Sequence, residues 1–168
     1  MQDVELFIHM AEIAGVFVGF GALIALRSGS TMAAGDLSSI RWVVTTGIWV
    51  VIAAITPIIV SAYALAGHQL WLVCSLLALG VFAVMVIVNA RAPENWADLV
   101  ETLATTSRAR MALIIGPTFW LPTVFLVVAL ALVALGPYPH QEQAIYLTAL
   151  GLGLFMGALH LFVMVFWQ

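Results

Sequence analysis

The sequence has 168 residues, of which 64% are hydrophobic and 8% are charged, and its mean hydropathy is +1.16. An ordinary soluble domain carries roughly 25% charged residues, so this composition argues against a soluble fold and predicts an integral membrane protein. The net charge of −3, with no run of basic residues, argues against a nucleic-acid-binding surface.

Five stretches of the chain are long enough to cross a bilayer, for which a helix needs about 20 mostly apolar residues. They are residues 4–26, 40–66, 70–89, 111–135 and 144–167. Because they leave almost nothing for a soluble domain, we expect a single all-α transmembrane bundle over residues 1–168. The first stretch has an acidic front end and a longer apolar run than a secretory signal, which predicts that it is retained.

The arginines predict the orientation of these spans. The chain has no lysine, and its arginines flank the loops after the first and third spans: Arg27, Arg41, Arg91, Arg108 and Arg110. Because short cytoplasmic loops hold the positive excess, we expect the N-terminus outside and the C-terminus in the cytoplasm. The small size and short loops favour a bacterial inner membrane.

The first span carries three ionisable residues, Glu5, His9 and Glu12, whose spacings of four and three place them on one helical face. A carboxylate at the centre of a span costs roughly 2.5 to 3.5 kcal/mol, so such residues normally face a partner or water and mark a functional site. Glu12 is the deepest of the three. We predict an ion pathway centred on Glu12 and approached through His9 and Glu5, with His160 of the last span at its inner end.

Two glycine pairs predict surfaces of close helix contact. Gly15 and Gly19 continue the ionisable face of the first span, and Gly153 and Gly157 lie in the fifth. Pairs of small residues at this spacing let helix backbones approach each other in a membrane. We expect these four glycines to form helix-packing interfaces, either within one chain or between subunits.

Prolines interrupt two of the predicted spans. Pro57 lies in the second, and Pro117 and Pro122 lie in the fourth. Each proline lacks an N–H, so the carbonyl one turn earlier must find another donor. Broken helices line the substrate sites of some transporters, but this chain has no internal repeat, and we interpret its prolines as packing features.

The longest loop has the pattern of a short helix over residues 93–106. Pro93 suits a first helical position, and Trp96, Leu99 and Leu103 recur on one side. We predict an amphipathic helix at the cytoplasmic surface, packed on protein or serving as a solvated connector.

Other chemistry has little support. Cys74 is the single cysteine, which excludes an intramolecular disulfide. His9 and Glu12 could hold a metal ion together with His68 or His140, and two histidines could hold haem. The Glu-x2-His motif that is typical of carboxylate di-iron bundles is absent from the sequence. The chain has no serine-hydrolase, phosphate-binding or zinc-protease motif. We therefore predict no enzyme activity, no cofactor and no metal.

The sequence favours a homo-oligomeric small cation or proton channel, or an ion-coupled membrane component, in which a ring of Glu12 side chains is central. The alternative is a non-conducting assembly or regulatory subunit that binds a partner membrane protein through the same face. A metal- or haem-binding membrane subunit is a further alternative. The alternatives stay open because, below Glu12, this face offers only small residues such as Gly15, Gly19 and Ala22.

Overall fold

A computed structural model describes residues 4–28, 34–92 and 106–166, with side chains over 4–26, 37–92 and 120–162. Within these ranges the chain is all-helical. Its helices are α1 (Val4–Ser28), α2 (Ala34–Ser61), α3 (His68–Ala90), α4 (Thr106–Leu135) and α5 (Glu142–Phe166). The amphipathic helix predicted over 93–106 lies outside the described residues, except for the first residue of α4.

Four of the described helices, α1, α2, α3 and α5, are long and apolar enough to cross a bilayer. Their apolar segments have 21 to 25 residues. In α4, which has 30 residues in all, the described apolar segment is the shorter Trp120–Leu135. The predicted class, an all-helical chain with several membrane-length helices, is confirmed.

The bounds of α2 differ most from the prediction. It begins at Ala34 rather than at residue 40, because a helix satisfies its own backbone and can extend beyond the apolar stretch. It ends at Ser61 rather than at residue 66. In the turn that follows α2, two residues have positive φ angles, 60° at Ala64 and 58° at Gly67. Hydropathy carries no signal for this earlier end, since Ala62, Ala64 and Leu65 are as apolar as the residues of the helix.

Helices α2 and α5 lie at the centre of the bundle. Helix α2 packs against α1, α3 and α5, and α5 also packs against α1, α3 and α4. Helices α1, α3 and α5 begin at the same end of the bundle, which we call the leading end; the opposite end is the trailing end. Helix α1 packs mainly on α2 and also on α5, whereas α4 packs on α5 and α3.

An aromatic cluster joins α1, α3 and α5 at the leading end. Phe7, Trp71 and Tyr146 are all buried, with ring centroids 5.5 Å apart for Trp71 and Tyr146 and 6.2 Å from Phe7 to each. Aromatic pairs at such distances contribute about 0.5 to 1.5 kcal/mol beyond the burial of their surface. The cluster thus fixes the beginnings of three helices relative to one another.

Tyr146 also satisfies the carbonyl that Pro57 deprives of a donor. Pro57 has no N–H, so the carbonyl of Ala53, one turn earlier in α2, cannot form its usual helical hydrogen bond. The Tyr146 hydroxyl donates a hydrogen bond of 2.8 Å to this carbonyl in the buried core. The break in α2 is therefore satisfied by α5, as a polar backbone group away from water requires.

Glycines set the close contacts of the central helices. A Cβ added at Gly153 of α5 would lie 2.6 Å from Cζ3 of Trp49 in α2. The Trp49 indole is held in place on its other side, because its Nε1 donates a hydrogen bond of 2.8 Å to the carbonyl of Ala78 in α3. Trp49 thus fills the space between α2, α3 and α5, and Gly153 leaves room for it.

Replacing Tyr146→Phe keeps the ring but removes the donor to Ala53, so we expect unfolding in detergent or bicelles to become easier by about 1 kcal/mol. In a Pro57→Ala background, residue 57 supplies its own N–H to that carbonyl. The double-mutant cycle should therefore show a smaller loss for Tyr146→Phe in that background. Equal losses in both backgrounds would contradict the assigned role of the hydroxyl.

Replacing Gly153→Ala should destabilise the bundle by about 1 to 3 kcal/mol, because the new methyl group would overlap the Trp49 ring. Gly151→Ala is the matched control in the same helix, since no atom lies within 4 Å of a Cβ at that position. We expect the control to leave stability unchanged or to raise it slightly through helix propensity. Thermal unfolding of the two variants under one set of conditions tests the difference.

Candidate functional site

The ionisable face of α1 points away from the bundle. Glu5 is exposed, and the side chains of His9 and Glu12 are 66% and 67% exposed. The opposite side of α1 carries the buried residues Phe7 and Ala14. The structure therefore places the three predicted residues on the outer surface of a single chain rather than in its interior.

His9 and Glu12 form a pair on this surface. Nδ1 of His9 lies 3.1 Å from Oε2 of Glu12, a contact across one helical turn. The pairing reduces the cost of a charge on either group. It does not remove that cost for a membrane-length helix, because the rest of the chain shields neither side chain.

The two predicted glycine pairs have different surroundings. Gly15 and Gly19 continue the exposed face of α1, and no atom lies within 4 Å of a Cβ built at either position. Gly153 lies against Trp49, as described above, and a Cβ at Gly157 would lie 3.3 Å from Cδ2 of Phe17 in α1. The glycine pair of α5 thus faces neighbouring helices of the same chain, whereas the pair of α1 faces outward.

His160, predicted as the inner end of the pathway, lies at the trailing end and is partly buried. Its Nδ1 is 2.8 Å from the carbonyl oxygen of Met156, and its ring stacks on Trp42 with centroids 6.0 Å apart. These contacts place His160 against α2, whereas Glu12 faces away from the bundle. Within one chain, the structure does not bring His160 and the α1 pair to a common surface.

A polar contact that the sequence did not reveal joins α2 and α3 near the same end. Nδ2 of the buried Asn89 donates to Oγ1 of Thr45 at 3.1 Å and to the carbonyl of Met85 at 2.9 Å. The Thr45 hydroxyl in turn donates to the carbonyl of Arg41 at 2.8 Å. This chain of hydrogen bonds replaces hydration for polar groups inside the bundle, which is a structural role.

A second contact that the sequence did not predict joins two helices at the leading end. Oε1 of Glu142 lies 2.5 Å from Nδ1 of His68, and the Glu142 side chain is 3% exposed. Each is the first residue of its helix, so the pair joins the beginnings of α3 and α5. Gly136 packs on the His68 ring with φ of 71°, and a Cβ there would lie 2.6 Å from Cε1 of His68. The only sequence signal was that His68 and Glu142 lie on the same predicted side of the membrane.

The part of the chain that the structure describes holds no group of three or more His, Cys, Asp or Glu residues positioned for a metal ion. His9 and Glu12 supply two ligands from one turn of α1. A metal site built on them would need further ligands from residues outside this part or from another chain. Cys74 is buried in the core.

No protein family, no curated protein and no solved structure matches the chain. The fold and composition define the class as a helical protein with membrane-length helices. Among the described residues, the outer face of α1 places an exposed pair of ionisable side chains, His9 and Glu12, within a membrane-length helix, and this face is the candidate functional site.

Replacing Glu142→Ala leaves His68 without its buried partner and should destabilise the protein by about 1 to 3 kcal/mol. Gln141→Ala, at the exposed neighbouring residue, is the matched control and should change stability by less than about 0.5 kcal/mol. Thermal unfolding of both variants in detergent measures the difference. Similar unfolding temperatures would show that the pair does not hold the leading end together.

Proposed function

We propose that the protein works as an oligomer in the membrane and conducts protons or small cations along the α1 face of Glu5, His9 and Glu12. The observation that supports this is the exposure of the His9–Glu12 pair on a 23-residue apolar helix. Ionisable groups are too costly to face lipid, so protein or water must cover this face in the membrane. Covered by further helices, the face becomes one wall of a polar path.

In this proposal α4 also crosses the membrane, which gives five crossings in all. The leading end of the bundle faces the outside of a bacterial inner membrane. The arginines of the two loops predicted to be cytoplasmic support this orientation. The exposed Tyr63 and Tyr138 in the two loops at the leading end suit the aromatic belt of a membrane interface. Glu5 would then meet outer water, and Glu12 would lie deeper in the membrane.

The chemistry of the pair fits proton or cation transfer. An imidazole can accept a proton from outside water and pass it to a carboxylate, and His9 and Glu12 already lie 3.1 Å apart. Several copies of Glu12 around one axis would attract cations and repel anions. Below Glu12, the small residues Gly15 and Gly19 would let a covering helix approach α1 closely.

A second candidate function is that of a non-conducting assembly or regulatory subunit. It is favoured by the lower half of the same face, where the exposed residues Val16, Phe20 and Leu23 are apolar. A surface that is polar towards Glu5 and apolar towards Leu23 is suited to binding a transmembrane helix of another protein as well as to lining an ion pathway. Measured ion flux distinguishes the two candidates.

We expect purified protein in liposomes to carry a proton or potassium flux under an imposed potential. The Glu12→Gln variant should reduce this flux at least about tenfold, because loss of the titratable group raises the barrier by about 1.4 kcal/mol or more. The same substitution should weaken any preference for cations over anions.

Asp36→Asn is the matched control, because it removes a carboxylate from α2 rather than from α1. It should leave the flux unchanged, and both variants should elute at the size of the unmodified oligomer. Absence of flux from the unmodified protein across several pH values would overturn conduction and favour the assembly subunit.

A further inference from the structure

We propose that the exposed face of α1 is the contact with a second copy of this chain, in which the two α1 helices cross at Gly15 and Gly19. The inference rests on the proposed function in taking α1 as the helix that meets another chain, and it identifies that chain. The face is defined by Glu12, Gly15, Val16, Gly19 and Phe20.

Two different sides of α1 carry glycines, and the part of the chain that the structure describes occupies only one of these sides. Gly21 faces α2, where a Cβ would lie 2.7 Å from Cγ2 of Val44, and Gly47 of α2 faces Val18 at the same distance. On the other side, nothing lies within 4 Å of a Cβ at Gly15 or Gly19. Glycines thus allow α1 and α2 to approach each other closely. Gly15 and Gly19 on the open side would allow another helix to approach α1 in the same way.

The open side has the pattern of a symmetric helix pair. Each glycine is followed by a large apolar residue, Val16 or Phe20, that is more than half exposed. In a parallel pair crossing at Gly-x3-Gly, the large side chain of one helix packs over the glycine of the other. A two-fold interface uses the same patch on both chains. The patch must therefore carry both the large side chains that project and the glycines over which they pack, and this face of α1 carries both.

The charges above the crossing also match a second copy. Along this face the groups alternate as acid, base and acid, from Glu5 through His9 to Glu12. In a parallel pair the residues of the two chains lie at equal depth, so the two Glu12 side chains lie opposite each other, and each protonated His9, one turn away, offsets their repulsion. The two pairs would then form a cluster of four ionisable groups near the crossing, shielded from lipid.

The exposed face of α4 provides a contrast. Its described exposed side chains include Trp120, Val124 and Val128, and none of the side chains described in α4 is ionisable. Such a face is satisfied by lipid alone. Of the described helices, α1 carries an exposed acid–base pair within its apolar segment, a surface that lipid does not satisfy, and this identifies α1 as the helix that needs a protein partner.

Disulfide cross-linking in membranes tests the contact. We expect the full-length Val16→Cys variant to form a covalent dimer on mild oxidation. Val124→Cys on α4 is the matched control, since Val16 and Val124 are both 54% exposed, and it should form no dimer. The unmodified protein should also stay monomeric on a denaturing gel, because Cys74 is buried. Equal cross-linking at both positions, or none at Val16, would overturn the proposal.

A second set of variants tests the crossing itself. Gly15→Leu with Gly19→Leu should abolish cross-linking through Val16→Cys, although a Cβ at either position has no described atom of the single chain within 4 Å. Gly80→Leu on α3, where a Cβ also meets nothing within 4 Å, should leave cross-linking intact. Unchanged cross-linking in the double leucine variant would show that the glycines are not at the contact.

The outcomes separate this inference from the proposed conduction. Flux that depends on Glu12, without cross-linking at Val16, would overturn the α1 pair and leave the ion path standing. Cross-linking that the leucine substitutions abolish, without flux from any variant, would support the pair and overturn conduction.

Discussion

The structure depends on the requirement that every backbone polar group in an apolar bundle find a partner within the protein. Pro57 creates the sharpest case, because it leaves the carbonyl of Ala53 without a helical donor in the buried core. Tyr146 supplies that donor, so α5 must lie at one height and one rotation against α2. Its ring then lies between Phe7 and Trp71, and the same side chain thus positions the beginnings of α1 and α3.

The rotation of α1 follows from these contacts. Phe7, Ala14 and Gly21 are buried, and their spacing of seven residues, close to two turns, forms one inward line against the central helices. The residues on the other side of α1 therefore face outward, including His9 and Glu12. The outward position of the ionisable pair is thus a consequence of how the leading end packs, and a local rearrangement of the pair alone could not reverse it.

Hydropathy predicted the helices, and residue spacing predicted that Glu5, His9 and Glu12 share a face. Neither hydropathy nor spacing could predict which way that face points, because α1 is apolar on most sides and carries glycines both near this face and on the opposite side. The His68–Glu142 pair joins residues 74 positions apart, and no local pattern reports such a contact. The end of α2 depends on backbone conformation at Ala64 and Gly67, which hydropathy does not encode.

The interior and the exterior of the bundle differ in a way that bears on function. Trp49 and Tyr146 are the two largest fully buried side chains of the described core, and each donates a hydrogen bond to a backbone carbonyl of a neighbouring helix. These polar groups hold neighbouring helices together. Among the described residues, the polar atoms of His9 and Glu12 contact only each other, and the pair is exposed on an apolar helix of membrane length. Under the proposed function, this pair would take part in ion transfer only where another chain covers the α1 face.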